Sequence, residues 1–209
     1  MPYSAEHKRE TRERIVKSAR RLFNGKGFAE VTIDEIMAHA GLTRGGFYKH
    51  FNTKEELYAD AVRQFLCMDR PELWQLKHVD SCAKGPTLAR MIVNAYLSRE
   101  HFDDRDGSCP TVTLPSDVAR GGKAVKAAFR EVVDMMVRIF AANLPEPEAQ
   151  QHALAFVAMC VGGMVVARAV DDPNLGDDFR NAVRAYLLAT TDWGEGRAKA
   201  GLSSAPNRS

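Results

Sequence analysis

Between residues 43 and 54 the chain gathers Thr43, Arg44, Gly45, Tyr48, Lys49, His50 and Lys54, with a second glycine at 46. These are donors and cations that suit phosphate oxygens and the edges of bases. An arginine can address guanine O6 and N7 through two parallel hydrogen bonds. Tyr48, Lys49 and His50, one turn further on, suit phosphate contacts, and Tyr48 also suits a thymine methyl or a base edge. Glycine pairs are poor helix formers, but they add no bulk, so a helix that starts at Thr43 can come close to a polyanion. Phe47 and Phe51, four apart, are expected to face inward and seat this segment on its neighbours.

Two other groups could do chemistry. Cys109 follows Gly-Ser in "DGSCPT" and precedes Pro110, in a loop leading into a helix, where backbone N–H groups can stabilise a thiolate. A cysteine enzyme with Cys109 as nucleophile and His101 as base is the competing reading, although no third orienting residue or oxyanion-type glycine loop accompanies the pair. The larger apolar side chains Trp74, Met91, Tyr96, Phe102, Met135 and Phe140 could wall a small-molecule pocket, and such sets more often form plain core. His101, His152, Asp103, Asp104 and Asp106 could suggest metal binding, but aspartate-rich loops are mostly solvated turns, so no metal and no cofactor is assigned.

The elements that must position these groups are helical throughout. From Thr11 to Phe23, Ile15, Ala19 and Leu22 form one stripe flanked by Val16 and Phe23, and Gly25 and Gly27 are expected to end that helix. "TIDE" at 32–35 is a capping box with Val31 and Ile36 as hydrophobic staple, and Gly41 stops the helix it opens. Thr43 caps a helix of about two turns. A second box, "TKEE" at 53–56, opens a helix carrying Leu57, Tyr58, Ala61, Val62, Phe65 and Leu66. Short helix, glycine turn, short helix is the helix-turn-helix pattern.

Further helices are expected on Leu88, Met91, Ile92 and Ala95; on Val125, Phe129, Val132, Val133, Met136 and Phe140; over 147–170; and over 177–190 with Phe179, Val183, Tyr186 and Leu187 on one side. The helix at 147–170 is apolar nearly all round in its second half, which a single domain struggles to cover. The last two helices are therefore expected to pair with their copies in a second subunit as a four-helix bundle, with Gly162, Gly163 and Ala167 allowing close approach. Residues 1–7 and 193–209 read as disordered ends.

Composition sets the frame. The chain is 45% apolar and 27% charged with a net charge of only +2, yet residues 8–26 hold eight Lys or Arg against two Glu. Beyond residue 57 there are 18 basic and 19 acidic residues, so one end is built to meet a polyanion and the remainder is near neutral. The four cysteines form no C-x-x-C pair, which speaks against a disulfide framework or zinc site. No secretory signal is read at the N-terminus. The most apolar window, 153–167, is cut by Arg168, short of the ~20 residues a spanning helix needs, so no membrane partner and a cytoplasmic location are expected.

The run "GKGFAEVTIDEIMAHAGLTRGGFYKHFNTKEEL" resembles the N-terminal DNA-binding domain of the TetR family of transcriptional regulators. The resemblance covers about residues 10–60. It implies an all-α homodimer, with a three-helix helix-turn-helix domain (1–52) that binds a double-stranded palindromic operator. A helical ligand-binding and dimerisation domain (53–209) would meet a small-molecule inducer and pair through its last two helices. It transfers DNA contacts to Thr32, Thr43, Arg44, Gly45, Tyr48, His50 and Lys54. Gly46 stands where many members have alanine. Some repressors of this kind sense electrophiles or oxidants through a cysteine in the region of Cys109, so the resemblance admits either kind of signal.

Overall fold

The computed structural model describes residues 5–65, 79–80, 82–105, 107, 109–144 and 148–190, and every element among them is helical. Leu66, Trp74, Asp106, Pro147 and the expected tail at 193–209 lie outside the described residues. The chain divides into two compact units: residues 1–70 with 103–135, and residues 71–102 with 136–209.

In the first unit α1 runs Ala5–Glu30, longer at both ends than its apolar stripe implies. Residues 5–7, expected to be disordered, form its first turn. Glu6, Arg9 and Glu13 pair along that exposed surface at i,i+3 and i,i+4 spacing, which favours the extra turn. Gly25 does not end α1. An isolated glycine costs a helix only ~1 kcal/mol, and the flanking Phe23 and Asn24 are buried, so the helix continues. The break comes at Gly27, whose φ of 81° lies in the left-handed region that glycine enters without a Cβ penalty.

The caps that follow match their motifs with one exchange of partners. Thr32 Oγ1 accepts from the Glu35 N–H at 3.1 Å and opens α2, Ile33–His39. The Glu35 carboxylate takes Lys26 instead of turning back to the cap, and that ion pair holds it below the usual carboxylate range. Val31 and Ile36 are fully buried, as a staple requires. Gly41, with φ 69°, ends α2. A 3-10 helix, Arg44–Lys49, comes next, and then α3, Lys54–Arg63. At its start Thr53 Oγ1 accepts from the Glu56 N–H at 3.0 Å while Glu56 accepts from the Asn52 N–H at 2.8 Å.

α1 packs on α2 and α3 through Ile15, Ala19, Phe23, Ile36, Met37, Leu57, Tyr58 and Val62. Each fully buried aliphatic or aromatic side chain here contributes ~1.5–3 kcal/mol. Phe23, Phe28 and Tyr58 form an aromatic trio with ring centroids 4.7 to 5.7 Å apart. Past α5, Arg99–Asp103, two short helices that the periodicity does not reveal also belong to this unit. They are α6, Pro110–Thr113, and α7, Pro115–Arg120, and both pack on α1. Each begins at a proline in the first turn, where the missing N–H is harmless. The long helix α8, Lys123–Ala141, contributes Val125, Ala128 and Val132 to the buried set.

The second unit holds α4, Gly85–Tyr96, with α9, Ala149–Ala169, and α10, Pro173–Thr190. α4 buries Ala89, Val93 and Ala95, while Leu88, Met91 and Ile92 are half-buried, so of the stripe read in the sequence only Ala95 is buried. α10 starts four residues earlier than expected because Asp172 accepts from the N–H groups of Asn174 and Leu175 ahead of Asp177. α9 buries Ala153, Phe156, Val157, Cys160, Gly163, Met164 and Ala167. By length and composition alone this helix could cross a membrane, but its densest packing is against α10. Gly163 serves that packing within one chain: a Cβ there would meet Val183 at 3.0 Å. Gly162 points to open space. Two arginines tie the α4–α5 corner to these helices, Arg180 donating to Leu97 O at 2.8 Å and Arg168 to His101 O at 2.6 Å.

Candidate nucleic-acid interface

Why do polar residues 43–50 stay at the surface? Phe47 and Phe51 are buried, with ring centroids 5.7 Å apart, and this apolar base anchors the 3-10 helix on α2. Thr43, Arg44, Gly45, Tyr48 and Lys49 are thereby left exposed, with Tyr48 60% accessible. Thr43 is extended and sits at the cap position, but its side chain makes no cap bond; its carbonyl accepts from the Gly46 N–H at 2.9 Å. The segment is a 3-10 helix rather than the two α-turns expected. Two consecutive glycines weaken the i→i−4 pattern, and a short piece tolerates the tighter winding.

The glycines divide by surroundings. Neither has a positive φ, and a Cβ on Gly45 would meet nothing within 4 Å, whereas one on Gly46 would touch Met37 Cε at 3.4 Å. Both Gly45→Ala and Gly46→Ala are expected to stabilise the DNA-free protein by up to ~1 kcal/mol through helix propensity. Only Gly45→Ala should weaken DNA binding, by putting bulk where the helix start approaches the polyanion. Paired urea melts and binding titrations check this; equal loss of binding in both variants would sink the close-approach role of Gly45.

Three of the nearby cations, Arg44, Arg12 and Lys54, are already engaged. Arg44 pairs with Asp34 on α2 at 2.6 Å, with both side chains more than half exposed. Arg12 donates to His50 O and, at 2.6 Å, to Asp60, and its guanidinium lies 4.0 Å over the Phe51 ring. It therefore fastens the end of the 3-10 helix to α1 and α3. Sequence reading treats Arg12 as one of several surface cations; only a fold that brings residues 12, 50 and 60 together reveals the role. His50 is held below its usual pKa, chiefly by burial and then by Lys8, Arg12 and Lys49. An arriving phosphate would oppose that shift.

Lys54 differs most from the sequence expectation. Its ammonium donates to Phe28 O and Val31 O, each at 2.7 Å, and lies 4.2 Å over the Phe28 ring. Burial lowers its pKa. With two of its three donors turned inward, it closes the α1–α2 corner and has one donor left for a phosphate. Thr32 is exposed but is committed as the α2 cap.

The other candidates lie elsewhere. Cys109 is 2% exposed at the cap position of α6, with Sγ 2.9 Å from Thr111 Oγ1. His101, equally buried, bonds Tyr96 O through Nδ1 at 2.6 Å and belongs to the other compact unit. Both candidate enzyme groups are therefore shut in and engaged locally. Of the ligand-wall set, Phe140 is buried against Phe156, the Tyr96 ring meets His101, and Phe102 is flanked by the guanidiniums of Arg99 and Arg180. Met91 and Met135 are half-buried, the latter in the first unit, and Trp74 lies outside the described residues. Among the described residues no group of three or more His, Cys, Asp or Glu is placed to hold a metal ion.

With this geometry in place, comparison with known proteins is informative. Residues 15–61 match the model of the bacterial regulatory proteins of the tetR family. The uncharacterized HTH-type transcriptional regulator YerO of Bacillus subtilis is 34% identical over 97 residues, 46% of this chain and 32% of the relative. TtgR of Pseudomonas putida, another HTH-type transcriptional regulator, is 46% identical over 52 residues, 25% of each chain. The chain thus spans between a quarter and a third of the length of these relatives. Over nearly the whole chain the fold is similar to a TetR transcriptional regulator from Chloroflexus aurantiacus, with TM-score 0.69 at 22% identity, covering 89% of this chain and 98% of that one. It is equally similar to the reduced form of Escherichia coli NemR, with TM-score 0.69 at 18% identity and coverages of 85% and 95%. The motif run, the capped helices on their aromatic base and the matched N-terminal model agree, and residues 15–61 form an N-terminal domain of the tetR family.

Proposed function

We propose that this protein is a homodimeric, cytoplasmic transcriptional repressor that binds a palindromic double-stranded operator and leaves it when a signal is sensed in the C-terminal half. The observation that carries the reading is the exposed set Thr43, Arg44, Gly45, Tyr48 and Lys49, held outward by the buried Phe47 and Phe51. A segment so polar on one side and so firmly seated on the other suits the floor of a major groove, with phosphates taken by the flanking cations.

Pairing is supported by the outer face of α9 and α10. Leu154, Val166, Leu175, Phe179 and Tyr186 are all more than a third exposed, and on α10 Leu175, Phe179 and Tyr186 recur at helical spacing. Exposed apolar side chains grouped on one side of α10 suit a partner surface, and two copies related by a twofold axis would complete a four-helix bundle. The signal is a small molecule or an electrophile. Cys109 is buried, so an electrophile reaches it only when the α6 segment opens.

The test is fluorescence anisotropy with labelled fragments from upstream of the protein's own gene, at two salt concentrations, backed by selection from a genomic fragment pool. Tight, salt-sensitive, sequence-selective binding is expected. Absence of any selected fragment from the whole pool would sink the DNA-binding reading.

A further inference from the structure

Two contacts join the short α6–α7 segment to the C-terminal part of α1, and they are in matched register. Thr113 Oγ1 lies 3.4 Å from Asn24 Oδ1, and Asp117 Oδ2 accepts the Phe28 N–H at 2.8 Å. Residues 24 and 28 are four apart along the chain, and so are 113 and 117. The second contact is the shorter and carries a charge.

In an unbroken helix the Phe28 N–H would donate to the carbonyl of residue 24. The left-handed Gly27 ends that pattern and leaves the amide needing a partner, which the Asp117 carboxylate supplies. The fit is close on both sides, since a Cβ on Gly27 would stand 3.1 Å from Asp117 Oδ2. The carbonyl side of the same turn is taken by Lys54, through Phe28 O and Val31 O. Residues 27–31 are therefore gripped at an N–H by an anion and at two C=O groups by a cation. Charge-assisted bonds of this sort are stronger than neutral ones.

Immediately after this turn comes Thr32, the cap of α2, and α2 carries the 3-10 helix with Arg44. The turn sets the direction in which both leave α1. We infer that Asp117 is a positioning residue for operator recognition: by holding the Phe28 N–H it fixes the α1–α2 corner and so the placement of Arg44, Gly45 and Tyr48. Asp117 itself touches no DNA. The inference rests on the operator-binding reading above, and its test separates the two.

Asp117→Ala and Asp117→Asn in the full chain are compared on the selected operator fragment. The alanine variant is expected to bind roughly tenfold more weakly, because the acceptor that holds the Phe28 N–H and orients the reading helices is gone. The asparagine variant keeps an acceptor oxygen for the Phe28 N–H and should bind within about twofold of the parent. Exchange of the Phe28 amide with deuterium, followed by NMR without DNA, should be slow in the parent and the asparagine variant and fast in the alanine variant. Failure of the parent to select any DNA would count against the proposed function. A parent that binds together with an alanine variant that binds equally well overturns the role of Asp117. If the alanine variant does not fold, an unprotected Phe28 amide in the parent, or lost binding in the asparagine variant, overturns it instead.

Discussion

Replacing Phe179 and Tyr186 together by glutamate is expected to give a folded monomer whose operator affinity has fallen by roughly 100-fold or more. The two side chains are 37% and 58% exposed on α10, so the single chain loses little by their change. A second copy would have to bury four new carboxylates against an apolar seam, which costs far more than the pairing returns. In the proposed dimer the operator would be read twice, once by each copy, about 34 Å apart, and a monomer would keep only one of those footholds. Sedimentation equilibrium gives the subunit number, circular dichroism the helicity, and anisotropy the affinity. A double variant that remains dimeric at micromolar concentration would remove α10 from the interface.

The second large effect concerns Arg44. Arg44→Ala is expected to cost ~1–3 kcal/mol of operator binding, about 10- to 100-fold, and to relax discrimination at one base pair in each half-site. Stability should hardly move, since the Arg44–Asp34 pair is solvent-exposed and such pairs contribute ~0–1 kcal/mol. That pair also predicts the opposite sign for its other member. Asp34→Asn frees the guanidinium before DNA arrives and removes a negative charge beside the phosphates, so binding should tighten. Titration of single-base operator variants decides the matter: uniform weakening across all variants would make Arg44 a phosphate contact rather than a base reader.

What was legible in the sequence is what local chemistry dictates. Thr32 and Thr53 accept from the amides three residues on because a β-region residue followed by helix formers leaves those N–H groups open, whatever the rest of the chain does. Phe47 and Phe51 point inward for a similar reason: four-residue spacing between polar neighbours admits one apolar side. The misses have longer reach. Gly25 remains helical because burial of Phe23 and Asn24 outweighs a small propensity cost. Helices α6 and α7, of four and six residues, are too short for a 3.6-residue period to register, although Pro110 and Pro115 mark their first turns. In α4 the bulky Leu88, Met91 and Ile92 drew attention from Ala89 and Val93, which are fully buried.

Partner choice is the part a linear reading cannot supply. Lys54 and Arg12 announce a charge, but only the folded unit shows that each spends it partly on backbone carbonyls of its own chain. A DNA-binding surface read as a row of free cations is thus an overcount. Several of its members build the platform on which the rest stand.

The first compact unit is discontinuous, since residues 103–135 complete what residues 1–70 begin. A nascent chain emerging from the ribosome therefore exposes the α1 surface around Asn24 and Phe28 long before Thr113 and Asp117 have been translated. The same interval limits engineering by transplantation. A chimera that grafts only the first 60 or so residues onto a foreign regulatory half carries the proposed operator contacts but leaves behind Asp117, which holds the Phe28 N–H, and should be rescued by bringing residues 110–120 along.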